Sequence, residues 1–203
     1  MAERLSLGKQ FMDRAQEVFK KTHEGKTLKG RSSEAACAAC LYIACRLEKR
    51  PRTFQEICAV TRNADKFAVG KAYKAIYKKL QSDLDEGGAG AGPGMQKQVG
   101  LLSPKDYIRR FCSQLQYPND VVQSCTAVAD AVQKHGVSSS RNPHSVAAAI
   151  IFFLGEMSSS PRSLDEVSAV SGVAGATIKL IASDELAAAQ SKLVSDAVLA
   201  KLK

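Results

Sequence analysis

The chain has 203 residues, of which 45% are hydrophobic and 24% charged, a composition typical of one large or two small globular domains. Residues 1–20 contain several charged side chains, which argues against a signal peptide. The longest apolar run, Val146 to Leu154, is too short for a membrane span. We therefore expect an intracellular protein with free thiols. The net charge is +9, and it is concentrated in residues 1–80, where 18 Lys and Arg face 8 Asp and Glu. Residues 81–203 hold 11 against 12.

The first half predicts a helical bundle. A run rich in Ala, Cys and Ile over about 32–48 has almost no polar face, which favours a central buried helix. Thr53-Phe54-Gln55-Glu56 then matches a capping box, in which hydroxyl and carboxylate satisfy the first amides of a helix. A short helix 54–60, a turn at 62–65 and a helix 66–80 follow.

A glycine-rich stretch from Gly87 to Gly94 predicts a flexible linker, which we place at 87–101, between a first domain 1–86 and a second domain 102–203.

The second half repeats the first. Ser103-Pro104 and Asn142-Pro143 each predict a helix start, and the second opens another buried helix, about 143–157. Ser163-Leu164-Asp165-Glu166 is a second capping box. A short helix 164–170, a turn at 171–173 and a helix 174–182 have the outline of a helix-turn-helix. Residues 182–203 suggest a further amphipathic helix, for which the sequence indicates no function.

The two halves match without gaps at an offset of 110 residues, from 31–60 onto 141–170. Identical pairs include Pro51/Pro161, Arg52/Arg162 and Glu56/Glu166. A period this long indicates a duplicated all-α domain of about five helices per copy.

The cysteines do not predict a metal site. Cys37-x-x-Cys40 has no second pair to complete four ligands, and both residues fall on a helix expected to be buried. Cys45, Cys58, Cys112 and Cys125 likewise occupy apolar positions, so we expect the cysteines to pack in the core. No nucleophile–base set, phosphate loop or dinucleotide motif is found, so we expect no enzyme, no catalytic residues and no cofactor.

Two stretches carry a resemblance to a known family. KTLKGRSSEAACAACLYIACRLEKRPRTFQEICAV is similar to the first cyclin-like repeat of the general transcription factor IIB family. SPKDYIRRFCSQL together with NPHSVAAAIIFFLGEMSSSPRSLDEVSAVSGVAGATIK is similar to the second. The resemblance implies two tandem five-helix cyclin folds, the first without its first helix. It implies a nuclear, monomeric factor for RNA polymerase II that binds the TATA-binding protein and promoter DNA, without a membrane. Polymerase contact would belong to segments missing here.

The resemblance also implies where DNA and protein contacts lie. DNA contacts fall in the second helix-turn-helix, in the turn before it and in the first repeat's basic loop: Ala176, Thr177, Lys179, Arg162, Lys49, Arg50 and Arg52. Family members usually carry Val and Arg in place of Ala176 and Lys179, so we expect a relaxed preference for an upstream element, because lysine lacks the bidentate fork of arginine. The TATA-binding protein would meet a basic stripe on the first repeat: Lys66, Lys71, Lys74 and Lys78.

Other interpretations of the same pattern remain open. A polymerase III or archaeal initiation factor would share the architecture. A cyclin-like module that activates a kinase without touching DNA would share the fold, and the basic face would then only be solvated surface.

Overall fold

The structure is a computed structural model that describes residues 1–25, 27–28, 30, 32–85 and 102–202. The chain divides into two compact units, Met1–Leu102 and Ser103–Lys203. Within the described residues all regular structure is helical, as the sequence predicts. No described helix has both the length and the apolar character that a membrane span requires. The predicted linker 87–101 and Arg31 of the repeat match lie outside the described residues.

The first unit is built around one apolar helix. A 3-10 turn, Glu3–Leu5, precedes α1 (Lys9–Glu24), α2 (Ser33–Leu47), α3 (Phe54–Ala59) and α4 (Lys66–Asp85). Helix α2 lies at the centre and packs against the other three helices. It has this position because nearly every residue after its first turn is apolar and buried, from Ala38 to Cys45.

The second unit repeats this plan and adds to it. Its helices are α5 (Lys105–Gln114), α6 (Asn119–His135), α7 (Pro143–Gly155), α8 (Leu164–Ser171) and α9 (Gly175–Leu180), which runs into a π-helical turn, Ile181–Leu186. Two short helices follow, α10 (Gln190–Leu193) and α11 (Asp196–Leu202). The apolar α7 is central and packs against α5, α6, α8 and α9. The five helices α5–α9 form the repeat, and the first unit has four of them after its 3-10 turn.

Both predicted capping boxes are confirmed. The Glu56 amide donates to Thr53 Oγ1 at 3.2 Å, and the Thr53 amide donates to a Glu56 carboxylate oxygen at 2.7 Å. Ser163 and Glu166 make the same pair of bonds, at 3.2 and 2.8 Å. Because each cap contributes about 1 kcal/mol, α3 and α8 can form although they are only six and eight residues long.

Of the two other predicted helix starts, one agrees with the structure and one differs by a residue. The Asn142 side chain caps α7 and Pro143 is its first residue, as predicted. Helix α5, however, begins at Lys105, so Pro104 is its cap residue rather than its first helical residue. The difference is one residue at the boundary, because Pro104 already has helical angles, φ −51° and ψ −34°, and the Ser103 amide donates to the Asp106 carboxylate at 2.9 Å as a capping residue does.

Two predictions about packing are wrong in part. The expected single helix over 182–203 is instead a π turn and two short helices, and α10 and α11 pack against α6 with Leu193, Val198 and Leu202 buried. The cysteines are not all in the core either, because Cys37 is exposed and Cys58 half-buried.

Candidate nucleic-acid and protein interface

The second unit presents a helix-turn-helix whose turn depends on one glycine. Helix α8 ends at Ser171, and Gly172 follows with φ +69°, in the left-handed region that glycine adopts without strain. The Ser168 hydroxyl donates to the Val173 carbonyl at 2.7 Å and the Ser171 hydroxyl to Val167 at 2.7 Å, so both serines close the turn. The turn therefore fixes the angle between α8 and α9.

Helix α9 shows a small, mostly uncharged face to solvent. Ala176, Lys179 and Leu180 are exposed, Thr177 is half-buried, and Ile178 is completely buried beneath them. Leu180 is 42% exposed and follows Ala176 by four residues, so the two share a face. The sequence prediction included Ala176, Thr177 and Lys179 but missed Leu180, although its spacing from Ala176 was a usable signal.

Arg162 lies just before α8 and is held by the protein itself. Its Nε donates to the Leu115 carbonyl at 3.0 Å, and its guanidinium lies 5.7 Å from the centre of the Tyr117 ring. Both partners belong to the segment after α5. The structure thus gives Arg162 a supporting role for the helix-turn-helix, with its side chain half-buried.

The basic loop of the first unit is shaped by the end of α2. The Lys49 amide donates to Arg46 O at 3.1 Å and the Arg50 amide to Cys45 O at 3.0 Å, with Lys49 at φ +54°. This pair of bonds is a Schellman motif, which turns the chain sharply away from the helix. Pro51 is buried behind the turn, Lys49 and Arg50 are exposed, and Arg52 is half-buried.

The neighbouring acid is already engaged. Glu48 accepts hydrogen bonds from Gln10 and, at 3.2 Å, from Arg14, and these bonds join α2 to α1. The hydrogen bond to Glu48 raises the pKa of the Arg14 guanidinium above its usual value. Glu48 therefore bonds to α1 and not to the loop cations that follow it.

The predicted lysine stripe lies on the exposed side of α4. Lys66, Lys71, Lys74 and Lys78 are all exposed, while Val69, Ala72, Ile76 and Leu80 form the buried side at helical spacing. Lys71, Lys74 and Lys78 fall within one narrow arc of the helix, and Lys66 lies about a quarter turn away.

An aromatic residue that the sequence prediction missed belongs to the same arc. Phe67 is 69% exposed, and the Lys71 ammonium lies 4.2 Å from the centre of its ring, close enough for a cation–π contact. Its position was detectable, since residue 67 is in register with Lys71, Lys74 and Lys78 rather than with the buried residues. We call Phe67, Lys71, Lys74 and Lys78 the α4 stripe.

Within the described ranges, no group of three or more His, Cys, Asp or Glu side chains is placed to hold a metal ion. Burial raises the pKa of the Cys40 thiol to about 12, so this thiol is protonated and unreactive at neutral pH.

Comparison with known proteins shows which family the chain belongs to. The model of the transcription factor TFIIB repeat matches residues 1–79 and again residues 97–181. The chain is 40% identical over 179 residues to transcription initiation factor IIB of Drosophila melanogaster, which covers 88% of this chain and 52% of that protein. Identity is 39% over 180 residues to the factor of Oryza sativa subsp. japonica and 38% over 179 residues to that of Homo sapiens, covering 54% and 52% of those proteins. The chain spans about half the length of the curated relatives it matches.

Proposed function

Since the chain belongs to the transcription factor IIB family, a family of transcription factors rather than enzymes, we propose that it is the promoter-binding core of a nuclear RNA polymerase II initiation factor. In this role it binds the TATA-binding protein and the DNA that flanks the TATA element. The observation that carries the proposal is the double match of the family's repeat, once in each compact unit, together with an exposed helix-turn-helix in the second.

The DNA contacts come from two places. In the second unit, α9 enters the major groove with Ala176 and Lys179 toward the bases, and Leu180 supplies an apolar contact for a thymine methyl. In the first unit, Lys49, Arg50 and Arg52 approach the phosphates, where each cation neutralised releases counterions. The exposure of Ala176, Lys179 and Leu180 on α9 and of Lys49 and Arg50 in the loop supports the assignment. Arg52 is half-buried, and the bonded guanidinium of Arg162 favours a positioning role.

The protein contact is the α4 stripe, with Lys66 at its margin. An aromatic ring among lysines suits an acidic protein face better than a phosphate backbone, because the ring can bury against apolar side chains while the ammonium groups meet carboxylates. We therefore assign this face to the TATA-binding protein.

The test is a mobility-shift titration on a duplex containing a TATA element, with and without the TATA-binding protein, from about 50 to 200 mM salt. A retarded ternary complex that weakens steeply with salt supports the proposal. A chain that never retards the protein-bound duplex at low salt contradicts it and favours a cyclin-like module without DNA contact.

Matched variants separate the two surfaces. Lys71→Ala/Lys74→Ala removes two charges from the α4 stripe and should abolish the ternary shift, while Lys9→Ala/Lys134→Ala removes two exposed charges elsewhere and should leave it unchanged. If both pairs weaken the complex equally, overall charge and not the stripe drives assembly.

A further inference from the structure

The chain contains two serine–proline dipeptides, and they lie in very different surroundings. Ser103-Pro104 lies at the start of α5, where the Ser103 hydroxyl donates to Gln133 at 3.1 Å and Pro104 is buried. Ser160-Pro161 lies in the irregular segment between α7 and α8, and both of its residues are exposed. The structure therefore leaves Ser160-Pro161 open to another protein and encloses Ser103-Pro104.

The segment that holds Ser160 differs from its counterpart in the first unit. At the offset of 110 residues Pro161 corresponds to Pro51, which is buried, whereas Pro161 is exposed. Helix α7 also ends at Gly155, which is two residues before the position that matches Leu47, the last residue of α2. The connection from α7 to α8 is accordingly longer and less covered than the basic loop of the first unit.

Hydrogen bonds hold the backbone of this segment in place. The Ser158 hydroxyl donates to Gly155 O at 2.8 Å, and the Ser159 amide donates to Leu202 O of α11 at 3.2 Å. The Ser160 amide donates to Ser158 Oγ at 3.4 Å. Within the described residues the hydroxyl of Ser160 has no hydrogen-bond partner, so it is available for reaction.

The proline that follows Ser160 suits one class of modifying enzyme. Proline disfavours a helical backbone at the residue before it, because its ring clashes with that conformation. A protein kinase binds its acceptor residue in an extended form, and the proline-directed kinases select a proline directly after it, which has no N–H to satisfy. Pro161 therefore favours at Ser160 the conformation that such a kinase binds.

We propose that Ser160 is a phosphorylation site for a proline-directed serine/threonine kinase, and that its phosphate weakens the binding of DNA by the second unit. In the reaction Ser160 Oγ attacks the γ-phosphorus of ATP, the bond from this phosphorus to the departing ADP oxygen breaks, and the hydroxyl proton passes to the catalytic base of the kinase. The site is independent of promoter binding, whereas its effect on DNA rests on the function proposed above.

The added charge lies beside the helix-turn-helix. Ser160 precedes the first residue of α8 by four positions, and the first helix of such a motif crosses the DNA backbone. Arg162 is the only charged residue between Glu156 and Asp165, so a phosphate gives this stretch a net negative charge. One exposed charge changes binding by up to about fivefold, and a phosphate carries nearly two, so we expect binding to weaken by about three- to tenfold.

Phosphorylation in vitro tests the site on the full 203-residue protein. After incubation with ATP and either a mitogen-activated or a cyclin-dependent kinase, peptide mass mapping should find phosphate at Ser160. Ser103 is the internal control and should react about tenfold more slowly or less, because it must first be released from the start of its helix. Pro161→Ala should slow the reaction at Ser160 to a similar extent. The proposal is overturned if Ser160 takes up no phosphate, or if Ser103 or the Pro161→Ala protein reacts equally well.

Mobility shifts then test the effect on DNA, with the TATA-containing duplex and the TATA-binding protein. Protein phosphorylated at Ser160 should bind about three- to tenfold more weakly at about 50 mM salt, and the difference should shrink at about 200 mM, because salt screens exposed charges. Ser160→Ala protein treated with the same kinase should bind as the untreated parent does.

Glutamate variants supply a matched control that needs no kinase. Ser160→Glu adds one charge and should weaken binding by about two- to threefold. Ser139→Glu should leave it unchanged, because exposed Ser139 precedes α7 and Ser160 follows it, at opposite ends of a helix about 20 Å long. Equal losses in both variants, or a phosphorylated protein that binds as the parent does, would overturn the effect on DNA. A parent that never retards the duplex contradicts promoter binding instead, and the mass mapping alone then decides the site.

Discussion

Gly155, the last residue of α7, makes room for a tyrosine, and this contact yields a quantitative prediction. A Cβ atom built on Gly155 would lie 2.3 Å from Tyr117 Oη and 3.4 Å from Cζ. The first distance is a severe overlap, whereas the second is an ordinary contact. Overpacking of a core costs about 1–3 kcal/mol. We therefore expect Gly155→Ala to lower the free energy of unfolding by about 1–3 kcal/mol.

Removal of the hydroxyl should rescue the variant. Among the described residues Tyr117 Oη has no well-formed hydrogen bond, so Tyr117→Phe alone should change stability by less than about 1 kcal/mol. Burial raises the pKa of Tyr117, and the nearby backbone N–H of Arg162 opposes this rise. The contact with that N–H is therefore what the Tyr117→Phe substitution would remove. The double variant Gly155→Ala/Tyr117→Phe should be about as stable as the parent.

Urea unfolding followed by circular dichroism measures all four proteins of this cycle. In thermal unfolding, a loss of 1 kcal/mol in the free energy of unfolding lowers Tm by about 4–8 °C for a unit of this size. The reasoning is refuted if the double variant is as unstable as Gly155→Ala alone. In the first unit, at the repeat offset of 110 residues, Cys45 corresponds to Gly155 and Leu7 to Tyr117, and both are buried. A side chain with a Cβ is thus present at position 45, where the residue opposite, Leu7, has no hydroxyl.

Three further outcomes follow from the described geometry. Lys49→Gly should raise the free energy of unfolding by about 1 kcal/mol, because glycine adopts a positive φ without strain, and should weaken DNA binding. Ser6→Gly, at the other positive φ, should stabilise the fold and leave DNA binding unchanged. Denaturation and mobility shifts measure both, and a Lys49→Gly protein that binds as the parent does would contradict the loop assignment. The Glu34 carboxylate accepts hydrogen bonds from the Arg62 and Asn63 amides, and these bonds lower its pKa from the usual 4.5. Its contribution to the stability of the fold is therefore complete above about pH 4.5 and is lost as the pH falls through the lowered pKa. Glu34→Gln should flatten stability over that acidic range, and an unchanged profile would show that these bonds do not stabilise the fold. Lys179→Arg should tighten binding to a duplex with guanine in the upstream element by about 1–3 kcal/mol relative to a scrambled element, and equal gains on both would indicate a phosphate contact.

The central helices and their caps were predictable because their determinants are local. The apolar residues of α2 and α7 leave no polar face, and Thr53 and Ser163 each lie three residues before a glutamate. The repeat offset extended these predictions from one half to the other.

The remaining features depend on contacts between segments distant in sequence. The apolar character of α2 predicts that Cys37 is buried, but Cys37 is exposed, because burial on that helix depends on which helices pack against each of its faces. The resemblance implies a DNA contact for Arg162, and the bond of its side chain to Leu115, 47 residues away in sequence, cannot be inferred from spacing. The DNA and protein contacts themselves stay predictions.

The bond between Arg162 and the Leu115 carbonyl has a consequence for the proposed binding of a duplex. It ties the entrance of α8 to the end of α5, while Gly172 fixes the exit of α8. The helix-turn-helix is thus preorganised within its own unit. Ordering a flexible side chain at an interface costs about 0.5–1.5 kcal/mol, and a scaffold that is already rigid avoids part of this entropy loss. In the proposed complex, even a modest set of base contacts from Ala176 and Lys179 can then be sufficient for stable binding.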